Sequence, residues 1–169
     1  MKFTSENWIE KLGLLSHPEG GFFGEVYRSG ETIDGDALPE RYSGDRNFST
    51  SIYYLLRGED FSAFHKLKSD EIWHFYYGSP LIVHIFDPDG KYSKLFLGND
   101  FTKEETPQIV IPRGSVFAAE VSDKTSFALI GCTVAPGFDF ADFELCEREK
   151  LFELFGEYRS LINGLTRKK

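Results

Sequence analysis

The stretch of sequence that decides the fold is FHKLKSDEIWHFYYG, residues 64–78. Its apolar and aromatic ends flank a short polar centre, which predicts two strands, over 63–67 and 71–77. Because alternate residues of a strand face the same way, His65 is expected to share a face with Phe61. If the two strands pair as neighbours, their inward side chains meet in one interior.

The same alternation sorts the polar and aromatic side chains of these two strands. His65 and Glu71 are expected to point into the interior of a barrel, where Trp73 and Phe75 line the same cavity. His74 then points to the opposite layer, unless a bulge redirects it. A buried carboxylate is costly without a partner, so Glu71 among aromatic rings indicates a pocket.

Short strands are predicted along most of the chain, between helical ends. A helix over 5–12, capped by Ser5 and ended by Gly13, precedes them, and two short helices divided at Gly156 follow Pro136. About ten strands at this spacing predict an all-β antiparallel sandwich or barrel. Besides the two above, the strands are expected at 23–28, 50–56, 81–87, 92–97, 107–111, 116–121 and 126–134.

A long polar loop is predicted over residues 30–46. Gly30, Gly35, Pro39 and Gly44 interrupt any regular pattern there. A loop of this length is uncommon without a role, so we expect it to cover a site.

Composition limits the function classes. The 169 residues suit one domain, spanning 1–169, and the net charge of −8 repels phosphate backbones, so no nucleic-acid partner is expected. No apolar run reaches the roughly 18 residues of a membrane span, so no membrane partner is expected either. Cys132 and Cys146 form no disulfide framework and indicate free thiols in a reducing, cytoplasmic location.

The opening stretch resembles the first motif of the cupin superfamily, G-x5-H-x-H-x3-4-E-x6-G. His65, Glu71 and Gly78 stand in that register. Leu67 stands where the motif has its second histidine. One ligand of the motif's metal site is therefore replaced by an apolar side chain.

The sequence retains the turn residues of the second cupin motif, G-x5-P-x-G-x2-H-x3-N, but not its polar residues. Pro112 and Gly114 are retained, which is consistent with their role in chain reversal. Phe117 stands in place of the motif's histidine, and Val121 stands in place of its asparagine. Two of the four usual metal positions are thus apolar.

Three further segments narrow the resemblance to one cupin family, family five. They are HPEGG at 17–21, DEIWH at 70–74 and GCTVAPGFDFADFE at 131–144. The resemblance runs from about residue 12 to about residue 155. It implies a double-stranded β-helix, which is a jelly-roll barrel, with short N- and C-terminal helices.

The resemblance leaves the metal open. A catalytic metal site normally has three protein ligands and an open position. Here only His65 and Glu71 are in register, so the implied cofactor is either none or a weakly held divalent metal on these two residues.

A metal-free pocket is the other possibility. Deoxysugar-nucleotide epimerases of the cupin superfamily use a histidine base and a tyrosine acid without metal. By resemblance, His65 would be the base, with Glu71 beside it and Tyr53 as the acid. Arg28 is placed to hold an anionic substituent. The aromatic residues expected to contact the ligand are Trp73, Phe75 and Phe117.

Three functions therefore stay open at this point. The first is a small-molecule-binding cupin that acts as a metal-independent epimerase or isomerase on a sugar or sugar nucleotide. The second is a metal-dependent oxygenase or isomerase, and the third is a non-enzymatic ligand-binding protein. Because cupins commonly pair, a homodimer formed through the strand at 22–27 is also expected.

Overall fold

A computed structural model describes residues 3–167, and its architecture consists of two facing β-sheets with helices at both chain ends. The helices are α1 (Ser5–Leu12), α2 (Arg148–Leu154) and α3 (Arg159–Gly164). The strands are β1 (Leu15–Ser16), β2 (Phe22–Arg28), β3 (Thr32–Ile33), β4 (Arg46–Asn47), β5 (Thr50–Arg57), β6 (Phe61–Leu67), β7 (Asp70–Gly78), β8 (Leu81–Phe86), β9 (Tyr92–Leu97), β10 (Glu105–Thr106), β11 (Gln108–Ile111), β12 (Val116–Val121), β13 (Phe127–Ala135) and β14 (Phe143–Leu145).

Each of the two large sheets has six strands. The first has the order β1-β2-β5-β13-β7-β11, and the second has the order β10-β9-β8-β12-β6-β14. Apart from β9 with β10, all their neighbouring strands are antiparallel. The all-β, double-stranded β-helix prediction is confirmed.

The sequence left open whether the two strands of the opening stretch pair as neighbours, and in the structure they do not. β6 pairs with β12 and β14 in one sheet, whereas β7 pairs with β11 and β13 in the other. The polar centre of the stretch therefore carries the chain from one sheet to the facing one. His65 and Glu71 still meet across the interior, because each sheet turns one face inward.

A β-bulge in β6 changes which residues share a face with His65. His65 lies opposite Phe117 on β12, but Ser62 lies opposite Ala119, so β6 has one extra residue between the two pairs. His65 and Ser62 therefore point the same way, and Phe61 turns outward to the C-terminal helices. The predicted shared face of His65 and Phe61 is wrong for this reason.

The helices at the two chain ends pack on the outer faces of the two sheets. Thr4, not Ser5, caps α1: its hydroxyl accepts from the backbone N–H of Asn7 at 3.3 Å, and the Asn7 side chain accepts from the backbone N–H of Thr4 at 3.1 Å. Helices α2 and α3 pack on the outer face of the second sheet, where the ring of Phe155 stacks on Phe86 at 4.0 Å.

Within 3–167, no helix is long and apolar enough to cross a membrane.

The predicted loop over 30–46 contains β3, a short 3-10 helix at Gly35–Ala37 and the start of β4. It is fixed to the segment before β14 by a buried, two-pronged ion pair. Arg46 donates from Nε to Oδ2 of Asp142 at 2.6 Å and from a terminal nitrogen to Oδ1 at 2.7 Å. This pair holds the two segments together.

Candidate functional site

A cavity of about 300 Å³ lies between the two sheets, at the low end of the size range of small-molecule sites. Strands β2, β5, β6, β7 and β13 contribute its walls, and the segment 138–143 contributes its rim. Its aromatic lining residues are Phe23, Tyr54, Trp73, Phe138, Phe140 and Phe143. Rings on several sides and few polar groups are typical of a binding pocket.

His65 lies in the wall of the cavity and is 2% exposed. Its Nδ1 is 2.7 Å from the carbonyl oxygen of Ala63. Because a carbonyl only accepts, the proton of the ring lies on Nδ1. Its Nε2 is 3.1 Å from Oε2 of Glu19, so a second proton lies between imidazole and carboxylate. Both nitrogens of His65 are therefore engaged within the protein.

Glu19 reaches this position from the turn between β1 and β2. Its Oε1 accepts from the hydroxyl of Ser62 at 2.8 Å, on the same bulged strand as His65. The turn is seated on β6 through the Glu19 carbonyl, which accepts from the backbone N–H of Ala63 at 2.9 Å. Gly20 has a φ of 121°, and a Cβ there would collide with the carbonyl oxygen of Phe61. The close approach of the two backbones thus requires glycine.

His17 is a second imidazole in the cavity wall. Burial lowers its pKa, although the nearby charge of Glu19 raises it in part, so the ring is neutral at pH 7. Its Nδ1 accepts from the backbone N–H of Glu19 at 3.4 Å, which leaves the proton on Nε2. The ring of Phe23 meets it edge-on at 4.8 Å, and that of Phe140 stacks on it at 6.3 Å.

Glu71 is a buried carboxyl group in the cavity wall. Burial, and to a lesser extent the negative charge of Glu19, raise its pKa to about 8. Within residues 3–167, neither Oε2 of Glu71 nor Nε1 of the neighbouring Trp73 has a hydrogen-bond partner of good geometry, although the indole and the Cys132 thiol lower the pKa of Glu71 in part. The thiol of Cys132 lies in the same wall, and burial raises its pKa well above the usual range. Glu71 is therefore a carboxylic acid that ionises near neutral pH.

The tyrosine of the cavity is Tyr54, whereas the sequence-based candidate was Tyr53. Tyr53 points to the other face of β5, where its ring lies 6.0 Å from that of Tyr76. Tyr54 is 1% exposed, and its hydroxyl donates to the carbonyl oxygen of Gly20 at 2.8 Å. Burial raises the pKa of Tyr54 well above its ordinary value, so the phenol stays protonated.

The three aromatic residues predicted to contact the ligand lie in three different surroundings. Trp73 lines the cavity. Phe117 is buried behind His65, with the two ring centroids 4.0 Å apart, so it supports the imidazole from the core. Phe75 packs against the interior core and does not line the cavity.

Arg28 lines the cavity, but its guanidinium is occupied by protein groups. It binds Glu25 with a shortest distance of 2.7 Å, the side-chain oxygen of Asn47 at 2.8 Å and the carbonyl oxygen of Phe138 at 3.2 Å. These contacts fasten the rim segment to β2 and β4. Arg28, the cation predicted to hold an anionic substituent, is therefore already bound to protein groups.

The side chains do not fit the metal centre of the cupin motifs. Leu67 lines the cavity, Phe117 packs on His65, and both nitrogens of His65 already have partners. His74 faces the opposite side of β7 and contacts Thr133. Among residues 3–167, no three His, Cys, Asp or Glu side chains are grouped so as to hold a metal ion.

Sequence patterns did not identify His17, Glu19 or the segment at 138–143 as part of the site. A signal was present, because these residues belong to the conspicuous HPEGG and GCTVAPGFDFADFE signatures. The turn delivers a carboxylate and an imidazole to the cavity, and the second signature delivers the three phenylalanines of its rim: Phe138, Phe140 and Phe143.

Comparison with known families gives a match to one model. The family described as Cupin superfamily (DUF985) matches residues 6–146. The matched range contains His65, Glu71 and the HPEGG turn. It therefore includes the polar groups of the cavity.

Individual proteins are similar over most of their length. The uncharacterised protein YML079W of Saccharomyces cerevisiae is 34% identical over 150 residues, which are 83% of this chain and 74% of that protein. The crystal structure of protein SO0799 from Shewanella oneidensis has a TM-score of 0.90 at 34% identity and covers 99% of this chain and 100% of that one. A hypothetical protein from Leishmania major has a TM-score of 0.89 at 32% identity, covering 98% and 100%.

Proposed function

Since the chain belongs to the DUF985 family of the cupin superfamily, we propose that it binds a small molecule in the barrel and acts on it as a metal-independent isomerase or epimerase. The observation that carries this proposal is Glu71, a buried cavity carboxyl with a pKa of about 8. Groups tuned to ionise near the working pH are the ones that transfer protons efficiently.

The proposed step is a proton transfer at carbon. At pH 7 roughly a tenth of Glu71 is ionised, and this carboxylate removes a proton from a carbon beside a ligand carbonyl. The electron pair of the broken C–H bond moves onto the carbonyl oxygen and forms an enolate. The Nε2–H of His17 is available in the wall to stabilise that oxygen. Return of the proton from Glu71 to the adjacent carbon, as the hydroxyl proton on the first carbon passes to the enolate oxygen, yields the isomer. Return of the proton to the opposite face of the first carbon, once the enolate has turned over in the cavity, yields the epimer, and neither outcome involves net oxidation.

His65 has a positioning role in this proposal. The resemblance gives it the role of base, but its two nitrogens contact Ala63 and Glu19. It holds the carboxylate of Glu19 in place, and the charge of Glu19 helps to keep Glu71 protonated. Tyr53 has no role in the step, because its side chain lies outside the cavity.

Solvent exchange tests the step. A panel of aldoses, ketoses and hydroxyketones is incubated with the protein in D₂O, and deuterium incorporation at carbon is followed by NMR. We expect exchange with at least one compound, lowered about 100-fold or more in Glu71→Gln. The exposed Glu153→Gln is the matched control and should exchange like the wild type. Equal exchange in Glu71→Gln and wild type would contradict the role of Glu71.

A non-enzymatic binding protein is the second candidate. It is favoured by the fact that His65 and the hydroxyl of Tyr54 already have protein partners and offer the ligand no free group. Saturable binding of a panel compound without any deuterium exchange would support this candidate over the enzyme.

We also propose that the protein forms a homodimer through β2. Within residues 3–167, β1 pairs with β2 only at Phe22 and Phe23, which leaves the outer edge of 24–28 uncovered. Val26 and Tyr27 are 55% and 54% exposed there. An uncovered apolar edge is a template for pairing with a second copy. Light scattering of the wild type and of Val26→Lys tests this: the variant should be monomeric, and a monomeric wild type would refute it.

The cytoplasmic location is likewise a proposal, supported by the free thiols of Cys132 and Cys146.

A further inference from the structure

The cation in the cavity wall is neutralised. Arg28 forms a two-pronged ion pair with Glu25, with distances from 2.7 Å to 3.2 Å. It also donates hydrogen bonds to the side-chain oxygen of Asn47 and to the carbonyl oxygen of Phe138. No other Lys or Arg side chain of residues 3–167 lines the cavity. An anionic ligand would therefore find no uncompensated positive charge.

The imidazole–carboxylate pair is neutral as a unit. Nδ1 of His65 carries a proton, and one further proton lies between Nε2 and Glu19. Because the ring and the Glu19 carboxylate share this proton, their two charges sum to zero. Glu71 is mostly uncharged below pH 8, and His17 is neutral at pH 7 because burial lowers its pKa.

The charge that remains on the cavity lining is negative. Asp139 lines the rim, and its Oδ1 accepts from the backbone N–H of Ala141. The chain as a whole carries a net charge of −8. An anion entering the cavity would lose its hydration, gain no ion pair and meet a negative potential.

We propose that the cavity takes an uncharged ligand, an aldose, a ketose or a related hydroxycarbonyl compound, and rejects the phosphorylated and nucleotide-linked forms of the same compound. This inference rests on the proposed function, because it assigns a substrate class to the same site. The aromatic walls fit the apolar face of such a ligand, and the neutral donors of His17 and Glu71 fit its oxygens.

The two tryptophans of the chain make the test specific. Trp73 lies in the cavity wall, whereas Trp8 lies on α1 outside it, so their indole N–H signals in a ¹H–¹⁵N spectrum separate cavity binding from surface binding. The protein is titrated with a panel of free aldoses and ketoses, with their phosphate monoesters and with UDP-glucose. We expect only uncharged members to shift Trp73 without shifting Trp8. A charged member that shifts Trp73 at a lower concentration, or a panel in which no uncharged member shifts it, overturns the proposal.

Glu25→Gln provides the matched variant, because it frees the charge of Arg28. We expect the preference of this variant to move toward the phosphate monoester by about tenfold, which is about 1.4 kcal/mol. No change in preference would show that the Arg28–Glu25 pair does not set the charge selectivity. Binding of uncharged compounds without deuterium exchange would refute the proposed proton transfer and leave the charge selectivity intact. Deuterium exchange of a phosphorylated compound would support the proton transfer and refute the charge selectivity.

Discussion

Nε2 of His65 lies 3.1 Å from Oε2 of Glu19, and this contact joins a barrel strand to the turn between β1 and β2. The two residues are far apart in sequence, and each is almost fully buried. Their contact places a carboxylate where it acts on the acidity of Glu71. The acid–base properties of the cavity therefore depend on how the turn docks onto the sheet.

Replacing Glu19 by glutamine should lower the pKa of Glu71 from about 8. The charge of Glu19 is the second cause of the raised value, so its removal leaves burial alone to oppose ionisation. The measurement is a ¹³C NMR titration of the glutamate carboxyl carbons. The exposed Glu153→Gln should leave the titration of Glu71 unchanged. An unchanged or higher Glu71 pKa in Glu19→Gln would contradict the coupling.

The stability of the wild type should contain a Glu71 contribution that falls as pH rises. The folded pKa of about 8 exceeds the ordinary value of 4.5, so the folded state binds the proton more tightly than the unfolded chain. The contribution is complete below pH 4.5, decreases by about 1.4 kcal/mol per pH unit through the interval, and is lost above pH 8. Urea unfolding of wild type and Glu71→Gln across this range isolates it, since the variant lacks this slope. Parallel pH profiles of the two proteins would refute the assignment.

Removing the two adjacent tyrosine hydroxyls should have unequal effects. Tyr54→Phe loses the hydrogen bond to the Gly20 carbonyl and should cost about 1 kcal/mol of unfolding free energy. The side chain of Tyr53 lies outside the cavity, so Tyr53→Phe should lower the unfolding free energy by less, about 0.5 kcal/mol or below. Chemical denaturation measures both, and ligand titration should respond only to Tyr54→Phe, because the hydrogen bond to Gly20 positions the turn that carries Glu19 in the cavity wall. A larger effect of Tyr53→Phe on binding would restore Tyr53 as a site residue.

Breaking the buried ion pair beside the cavity should destabilise the protein strongly. Asp142→Ala leaves the guanidinium of Arg46 buried without its carboxylate, at a cost of about 3–5 kcal/mol. Lys68→Ala is the control, because Lys68 contacts the same carboxylate at 3.5 Å from an exposed position and should cost at most about 1 kcal/mol. Urea denaturation distinguishes them. Similar losses in both variants would mean that burial of the pair does not matter.

Restoring the two missing imidazoles should create a metal response. Leu67→His with Phe117→His returns histidines to the apolar positions of the cupin motifs, beside His65 and Glu71. We expect the Tm of this double variant to rise with added Zn²⁺ and to fall again with chelator, because a metal that binds only the folded state stabilises it. The wild type, tested in parallel, should show neither change. One equivalent of metal in freshly purified wild type, by elemental analysis, would contradict the metal-independent proposal.

The strands were predictable because they depend on local patterns. Alternation and turn residues located β5 to β9 and β11 to β13 within about two residues, and the apolar residues at positions 67 and 117 already argued against a metal centre. Strand pairing was not predictable in the same way. β6 and β7 follow one another along the chain and yet belong to opposite sheets, which only the whole barrel decides.

The candidate site was predictable in part for the same reason. Alternation placed Glu71 and Trp73 inward, and both line the cavity. The bulge in β6 and the choice of Tyr54 over Tyr53 depend on the pairing of whole strands, so no local pattern indicated them. The partner of His65 comes from a turn more than forty positions earlier in the chain.

The sequence by itself determined that this protein is a cupin barrel whose interior is aromatic and whose usual metal positions are partly apolar. Those properties follow from residue types and their spacing. Only the tertiary structure decided which carboxylate meets His65, that Arg28 is neutralised by Glu25 and that Glu71 holds its proton up to a pH of about 8. Hydrogen bonding and acidity depend on distances and on exclusion from water, and both arise only when distant segments enclose the same space.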